Sequence, residues 1–268
     1  MASTHPDFIA AGRPEESLEL PIDAVREVCR LLALKPARGR YKVAILDDAD
    51  DLNDAAANCF LKTLEEPPPS SILILIGTSP EQQLPTIVSR CQVIRFPPLP
   101  ESLVGELLRQ HEGEADVELD RLVRLSGGSP GQARALADPD LWKFRQTLLD
   151  GLTKAEIDSV GLSEKWVRFV EEAGKESALQ RRRGALVVRL LVEFLHDALR
   201  MSLGASLRLA EPGDLEFLKK LVNRVSPEQL MGAINGCLEG DYHIDRRVQL
   251  VLILEALVDD ISQKVQAQ

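Results

Sequence analysis

The chain has 268 residues, enough for two or three domains with a sizeable core, and its 44% hydrophobic and 28% charged content is that of an ordinary globular protein. A net charge of −10 argues against a free-standing nucleic-acid binder, though not against a local basic patch inside a larger assembly, and 4% aromatics leave the core to Leu, Val, Ile and Ala, which favours helices. Cys29, Cys59, Cys91 and Cys237 show no CxxC spacing, which points to reduced buried thiols rather than zinc ligands or a disulfide framework.

Residues 1–20 are rich in Pro and charge and read as irregular, with no signal peptide. Ile22, Val25, Val28, Leu31 and Leu32 recur at helical spacing, so 22–34 is one helix, ended near Pro36 and Gly39. Tyr41–Leu46 is a nearly continuous apolar run, expected as a strand covered on both faces. Asn53–Glu66 reads as a helix with Asn53 or Asp54 as N-cap, stopped by Pro67-Pro68-Pro69. Ser71–Ile76 and Gln92–Phe96 read as two further apolar strands, with a short helix Pro85–Ser89 between them. Strands alternating with helices imply a mostly parallel α/β sheet.

Composition changes after Pro97-Pro98-Leu99-Pro100, and every later periodic segment reads as helix: 101–110, 120–125, 131–137, 141–149, 164–172, 182–209, 214–225, 227–238 and 246–265. The apolar tract Ala185–Leu209 is broken by Arg189, Glu193, His196, Asp197 and Arg200, so it is a buried amphipathic helix and not a membrane span.

The residues that carry chemistry lie between Lys42 and Pro98. Asp47 ends a buried strand, where ligands bind in open α/β sheets, and can hold Mg²⁺ through water. Asp48 stands where a water-activating carboxylate would, one methylene shorter than Glu. Thr78 and Ser79 end the next strand, where a hydroxyl senses a γ-phosphate, or equally begins a loop. No Gly-rich phosphate loop with its Lys precedes them. The acids therefore read as a remnant nucleotide site: cofactor-binding Asp47, Asp48 and Thr78. Arg90 follows a short helix on a surface that cannot face its own nucleotide site. Its permanent charge and fixed fork of donors suit a phosphoryl-transfer transition state in a neighbouring subunit; the plain alternative is a surface salt bridge. Lys62 and Glu66 form an i,i+4 pair on a solvated face. Arg181-Arg182-Arg183 is the strongest basic cluster, at a helix start, and reads as a solvated turn or the seat of an anionic partner.

Three segments carry a resemblance: Asp54-Ala55-Ala56-Ala57-Asn58, Leu61-Lys62-Thr63-Leu64-Glu65-Glu66-Pro67-Pro68 and Ser89-Arg90-Cys91. With these, 42–98 resembles the clamp-loader branch of the AAA+ ATPases. Within that branch the chain looks most like the delta-prime type of bacterial DNA polymerase III rather than the motor type, gamma/tau. Thr4-His5-Pro6-Asp7 and Asp23–Val28 look like delta-prime segments, the second acid is Asp48, and Gly131 in Gly128-Ser129-Pro130-Gly131 stands where motor subunits carry a sensor-2 Arg; Arg134, one turn later, is not a match.

The resemblance implies a truncated α/β P-loop (AAA+) base domain over 1–97, a small helical lid over 98–138 and an all-α collar over 139–268, mostly helical overall. It implies a non-hydrolysing subunit with Arg90 as catalytic residue in trans and no cofactor of its own, ATP-Mg being bound by the neighbour. It implies partners of gamma/tau and delta type in a hetero-pentamer, with a sliding clamp and primed DNA reached through the assembly, no membrane, and a cytoplasmic location. The alternative is an ATP-hydrolysing gamma/tau-type subunit. The family's first strand, phosphate loop and zinc module precede the segment that begins here at Thr4. The resemblance therefore implies a fragment or a late start, a bare apolar edge where the first strand would lie, and low stability of 1–97 in isolation.

Overall fold

A computed structural model describes residues 5–14, 17, 19–112, 116–208, 212–246 and 248–266. It divides into two compact units, Met1–Phe96 with Glu176–Ala178, and Pro97–Lys175 with Leu179–Gln268.

The first unit is built on a three-stranded parallel sheet, β1 (Phe8–Ala11), β2 (Lys42–Leu46) and β3 (Ser71–Leu75), in the order β1-β2-β3. The register places Phe8 beside Val43 and Val43 beside Ile72. Helix α1 (Ile22–Leu32) buries Val25, Val28 and Leu32, and α2 (Asp54–Glu65) buries Ala56, Ala57 and Phe60. Together with Ile9, Leu20, Ala44 and Leu46 these side chains form one apolar cluster. Asn53 caps α2, its side chain accepting from the Ala56 amide at 2.9 Å, as expected for an Asn at that position.

Four expectations for this unit are corrected. The segment expected to be irregular contains β1, a four-residue strand too short to show a period among prolines and charges. Strand β2 is not covered evenly on both faces: Lys42, Ala44 and Leu46 are buried, while Val43 and Ile45 are half-buried. Strand β3 is not fully buried either, since Ile72 and Ile74 are about two-fifths exposed. Finally, 92–96 does not form a strand, and Phe96 is 90% exposed. An apolar run needs a neighbour to become a strand, and among the described residues β3 pairs only with β2. Among the described residues the other edge of β3 has no strand against it.

Asp7, before β1, is 3% exposed, and its carboxylate accepts three backbone amides of the α1–β2 connection, Ala37 at 2.5 Å, Arg38 at 2.8 Å and Gly39 at 2.7 Å. These bonds hold its pKa at about 2, against 3.8 for an ordinary Asp. A depressed carboxylate stabilises the fold above the unfolded pKa and loses that contribution as pH falls through the folded one. Asp7→Asn is therefore expected to lower the thermal midpoint at pH 7, with the gap from wild type closing between about pH 4 and pH 2; a gap independent of pH over that range would refute it.

The second unit is all helix: α4 (Glu101–Glu112), α5 (Asp116–Leu125), α6 (Pro130–Leu136), α7 (Pro139–Leu152), α8 (Ser159–Glu171), α9 (Ser177–Ser202), α10 (Leu215–Val222), α11 (Pro227–Asp245) and α12 (Leu250–Val265). One apolar cluster runs from Val104 to Val265, with Phe144 stacked on Phe169 at 4.3 Å. Arginines close several helix ends, where unpaired carbonyls and the dipole favour a cation. Arg183 donates to Phe169 O near the end of α8, Arg181 to Ile244 O near the end of α11, and Arg189 to Leu125 O at the end of α5. Arg224 donates to Leu152 O at the end of α7.

So the Arg181–Arg183 run is no solvated turn. It lies inside α9, and Arg181 and Arg183 tie α9 to two other helices, while Arg182 faces solvent. The four cysteines are free thiols, and burial pushes Cys237 up to about 12. No helix of the described residues is long and apolar enough to cross a membrane.

Candidate functional site

The carboxyl end of β2 delivers Asp47 and Asp48, both exposed. The Asp47 amide donates to Ala11 O at 2.8 Å, closing the ladder, and its carboxylate accepts the Asp48 amide at 3.0 Å. Asp48 then adopts a left-handed backbone (φ 54°), which Asp tolerates better than most residues, and the chain enters a short 3-10 turn, Ala49–Asp51. Burial raises the pKa of Asp48, assisted by Asp47, Asp51 and Asp50 and opposed by Arg13. Arg13 lies 2.6 Å from Asp51 and 3.9 Å from Asp48.

Thr78 is drawn to the same strand ends. Its amide lies 2.5 Å and its hydroxyl 2.8 Å from Asp50 Oδ2, with Gln82 Oε1 3.1 Å from the hydroxyl. The other Asp50 oxygen accepts from Gln83. Asp50 thus ties Thr78, beyond the end of β3, to the turn that follows Asp47 and Asp48 at the end of β2, and Arg13 braces that turn; the sequence had singled out neither Asp50 nor Arg13. The available signal was the density of acids in Asp47-Asp48-Ala49-Asp50-Asp51. Asp50 is committed to Thr78 and Gln83, and among the described residues no three His, Cys, Asp or Glu side chains form a group that could hold a metal by protein ligands alone.

Arg90 occupies a separate place. Helix α3 (Pro85–Val88) is pinned by Ile87, 2% exposed, and starts with Pro at its first position. The chain then tightens, Arg90 N bonding Ile87 O at 3.0 Å and Cys91 N bonding Val88 O at 3.2 Å. The Arg90 guanidinium is held on two edges. Nη1 donates to Thr86 O at 2.9 Å and Ser89 Oγ at 3.1 Å; Nε and Nη2 both reach Glu65 Oε1, at 3.0 and 2.6 Å. The side chain is 34% exposed. The structure shows the salt bridge, to Glu65, on a turn that leaves the guanidinium partly open. Glu65, the last residue of α2, is the partner the sequence did not reveal. Lys62 makes no ion pair with Glu66 among the described residues, correcting that expectation.

Gly131 sits near the start of α6 with an ordinary backbone, and a Cβ there would meet only Ser129 Oγ, at 3.9 Å. Neither packing nor conformation demands glycine. Gly131→Ala is expected to raise unfolding free energy by up to about 1 kcal/mol in urea titrations; a clear loss would show that the site needs a bare backbone.

A clamp-loader subunit is the class defined by a parallel sheet with acids at its strand end, a Ser-Arg-Cys turn after it and a long helical end. The sequence comparisons agree. A family profile described as "DNA polymerase III, delta subunit" matches residues 1–100. The delta-prime subunit of DNA polymerase III from Escherichia coli K12 is 33% identical over 270 residues, which take in 99% of this chain and 75% of that protein. The gamma/tau subunit of Mycobacterium tuberculosis H37Rv is 35% identical over 122 residues, 44% of this chain and 21% of that one. A gamma-subunit-related protein of Thermotoga maritima, known by crystal structure, aligns over 98% of this chain and 86% of its own at 21% identity and a TM-score of 0.44. The chain belongs to the delta-prime family of DNA polymerase III subunits.

Proposed function

We propose that the chain is a stationary, non-hydrolysing member of a clamp-loading assembly that supplies Arg90 to ATP-Mg held by an adjacent motor subunit. The observation that carries this is the Ser89-Arg90-Cys91 turn, which fixes one edge of a partly exposed guanidinium on backbone and hydroxyl oxygens. Asp47, Asp48 and Thr78 are the remnant of a nucleotide site, and the chain holds no cofactor of its own. Residues 1–97 act as the base domain, 98–138 as a lid and 139–268 as the collar of a hetero-pentamer with gamma/tau and delta types. That assembly engages a sliding clamp and primed DNA in the cytoplasm. The test is ATP turnover of the reconstituted assembly with clamp and primed DNA: Arg90→Ala lowers it without disturbing assembly, and unchanged turnover overturns the proposal. The second reading, a hydrolysing gamma/tau-type subunit, draws on the 35% identity to such a protein. It requires this chain itself to turn over ATP; Gly131 and the outward, left-handed Asp48 weigh against that.

A further inference from the structure

The connection between α1 and β2 reads Lys35-Pro36-Ala37-Arg38-Gly39-Arg40-Tyr41, and Lys35, Arg38, Arg40 and Tyr41 are all exposed. Apart from Lys62, which stands alone on α2, most other cations of this unit are engaged. Arg26 pairs with Asp23 and Arg30 with Glu27; Arg13 pairs with Asp51 and Arg90 with Glu65; Lys42 donates to Leu31 O at 2.9 Å. Lys35, Arg38 and Arg40 have no carboxylate at ion-pair distance among the described residues. A protein of net charge −10, with acids in surplus, leaves three cations unpaired in one short loop.

The loop is also rigid where its charges sit. Asp7, itself buried, takes the amides of Ala37, Arg38 and Gly39 on its two oxygens. Gly39 allows the close turn: a Cβ there would lie 3.2 Å from Tyr41 O. The Asp7 carboxylate is spent inward on the backbone, so it organises the loop while the side chains of Arg38 and Arg40 face outward. Exposed cations on a held backbone, next in sequence to an exposed aromatic ring, are the equipment of a single-stranded nucleic-acid contact, in which guanidinium and ammonium groups neutralise phosphates and a ring stacks a base.

We propose that the loop 35–41 is a contact site for the sugar-phosphate backbone of single-stranded nucleic acid, with Lys35, Arg38 and Arg40 on phosphates and Tyr41 against a base. This goes beyond the function proposed above, which places no DNA contact on this chain, and it needs neither ATP nor a neighbouring subunit. It is read by fluorescence anisotropy of a labelled single-stranded oligonucleotide titrated with the full chain at low salt. Three phosphates imply a slope of log K against log salt of about −2, at roughly 0.7 per phosphate. The triple variant Lys35→Glu, Arg38→Glu, Arg40→Glu is expected to abolish binding, and Tyr41→Ala to weaken it roughly five-fold or more.

A charge-matched control, Lys143→Glu, Arg168→Glu, Lys220→Glu, reverses cations already paired on exposed helices and is expected to bind within about two-fold of wild type. Circular dichroism melting confirms that each variant folds. No binding by the wild type, equal loss in the control, or full binding by the loop variant overturns the proposal. So does displacement of the oligonucleotide by poly-glutamate at matched charge, which would assign the loop to an acidic protein surface. None of these outcomes touches the role of Arg90, which is read by ATP turnover.

Discussion

When only the ATP site facing this chain can turn over, Arg90→Ala is expected to slow that site by about 10³-fold or more. The condition matters, because in an assembly with several sites the others dilute the loss to a partial drop in turnover; it is met by removing the corresponding arginines of the other subunits and following a single turnover. The expectation rests on how the guanidinium is mounted. Four of its five N–H groups are engaged, two by Thr86 O and Ser89 Oγ and two by Glu65. The first pair orients the group from within its own turn and need not break. The Glu65 pair covers the edge with which the fork would meet a phosphate bidentately, so Glu65 competes with the incoming charge.

An exposed pair of this kind is worth about 0–1 kcal/mol, so competition slows the site by about five-fold at most. Glu65→Ala should therefore speed the first turnover by up to about that factor, while Arg90→Lys recovers little, since an ammonium cannot reproduce the fork. A wild-type rate in Arg90→Ala removes Arg90 from the reaction. A slower rate in Glu65→Ala, with Arg90→Ala still crippled, makes Glu65 an orienting partner instead of a competitor.

The pairing of Glu65 with Arg90 shows where the sequence was legible and where it was not. Each residue lies in a segment whose composition marks it, the helix stopped by three prolines and the turn after Pro85, and both elements form as expected. Their contact spans 25 residues and depends on how α3 packs on α2, which no local period encodes. The Asn53 cap, the proline stop and most helical spacings after Pro100 are local rules, and they held; the exception is the helix expected over 182–209, which ends at Ser202, leaving Leu203 66% exposed, while the helix expected over 227–238 runs on to Asp245. Strands fared worse because an apolar run is ambiguous until its neighbours are known. Phe8–Ala11 gained a partner in β2 and became a strand, while 92–96, longer and with Val93, Ile94 and Phe96, gained none and stayed irregular. The arginines at helix ends followed the same logic. Arg181 and Arg183 read as surface charge because their acceptors, carbonyls of α11 and α8, are distant in sequence.

The largest stability effect is expected at Arg145 and Asp214. Their side chains are only 8% and 2% exposed, and the contact is bidentate, at 2.8 and 2.5 Å. Asp214 stands at the N-cap of α10, where Asp ordinarily accepts from the helix's own amides, yet it makes no capping bond, its carboxylate being turned onto Arg145 of α7. Arg145 also lies 5.7 Å from the Trp142 ring and 5.8 Å from that of Phe194, an apolar setting in which an unpaired guanidinium is poorly solvated. Asp214→Ala should therefore cost about 3–5 kcal/mol by leaving that cation buried without its partner.

The two-sided variant separates the worth of the pair from the cost of breaking it. Arg145→Met with Asp214→Leu removes both charges, and because desolvation offsets much of the Coulomb gain, it is expected to recover most of the loss. Urea midpoints of the two single variants and the double one complete the cycle. A double variant as unstable as the singles would show that the pair itself, and not merely the absence of an orphaned charge, holds α7 to the start of α10.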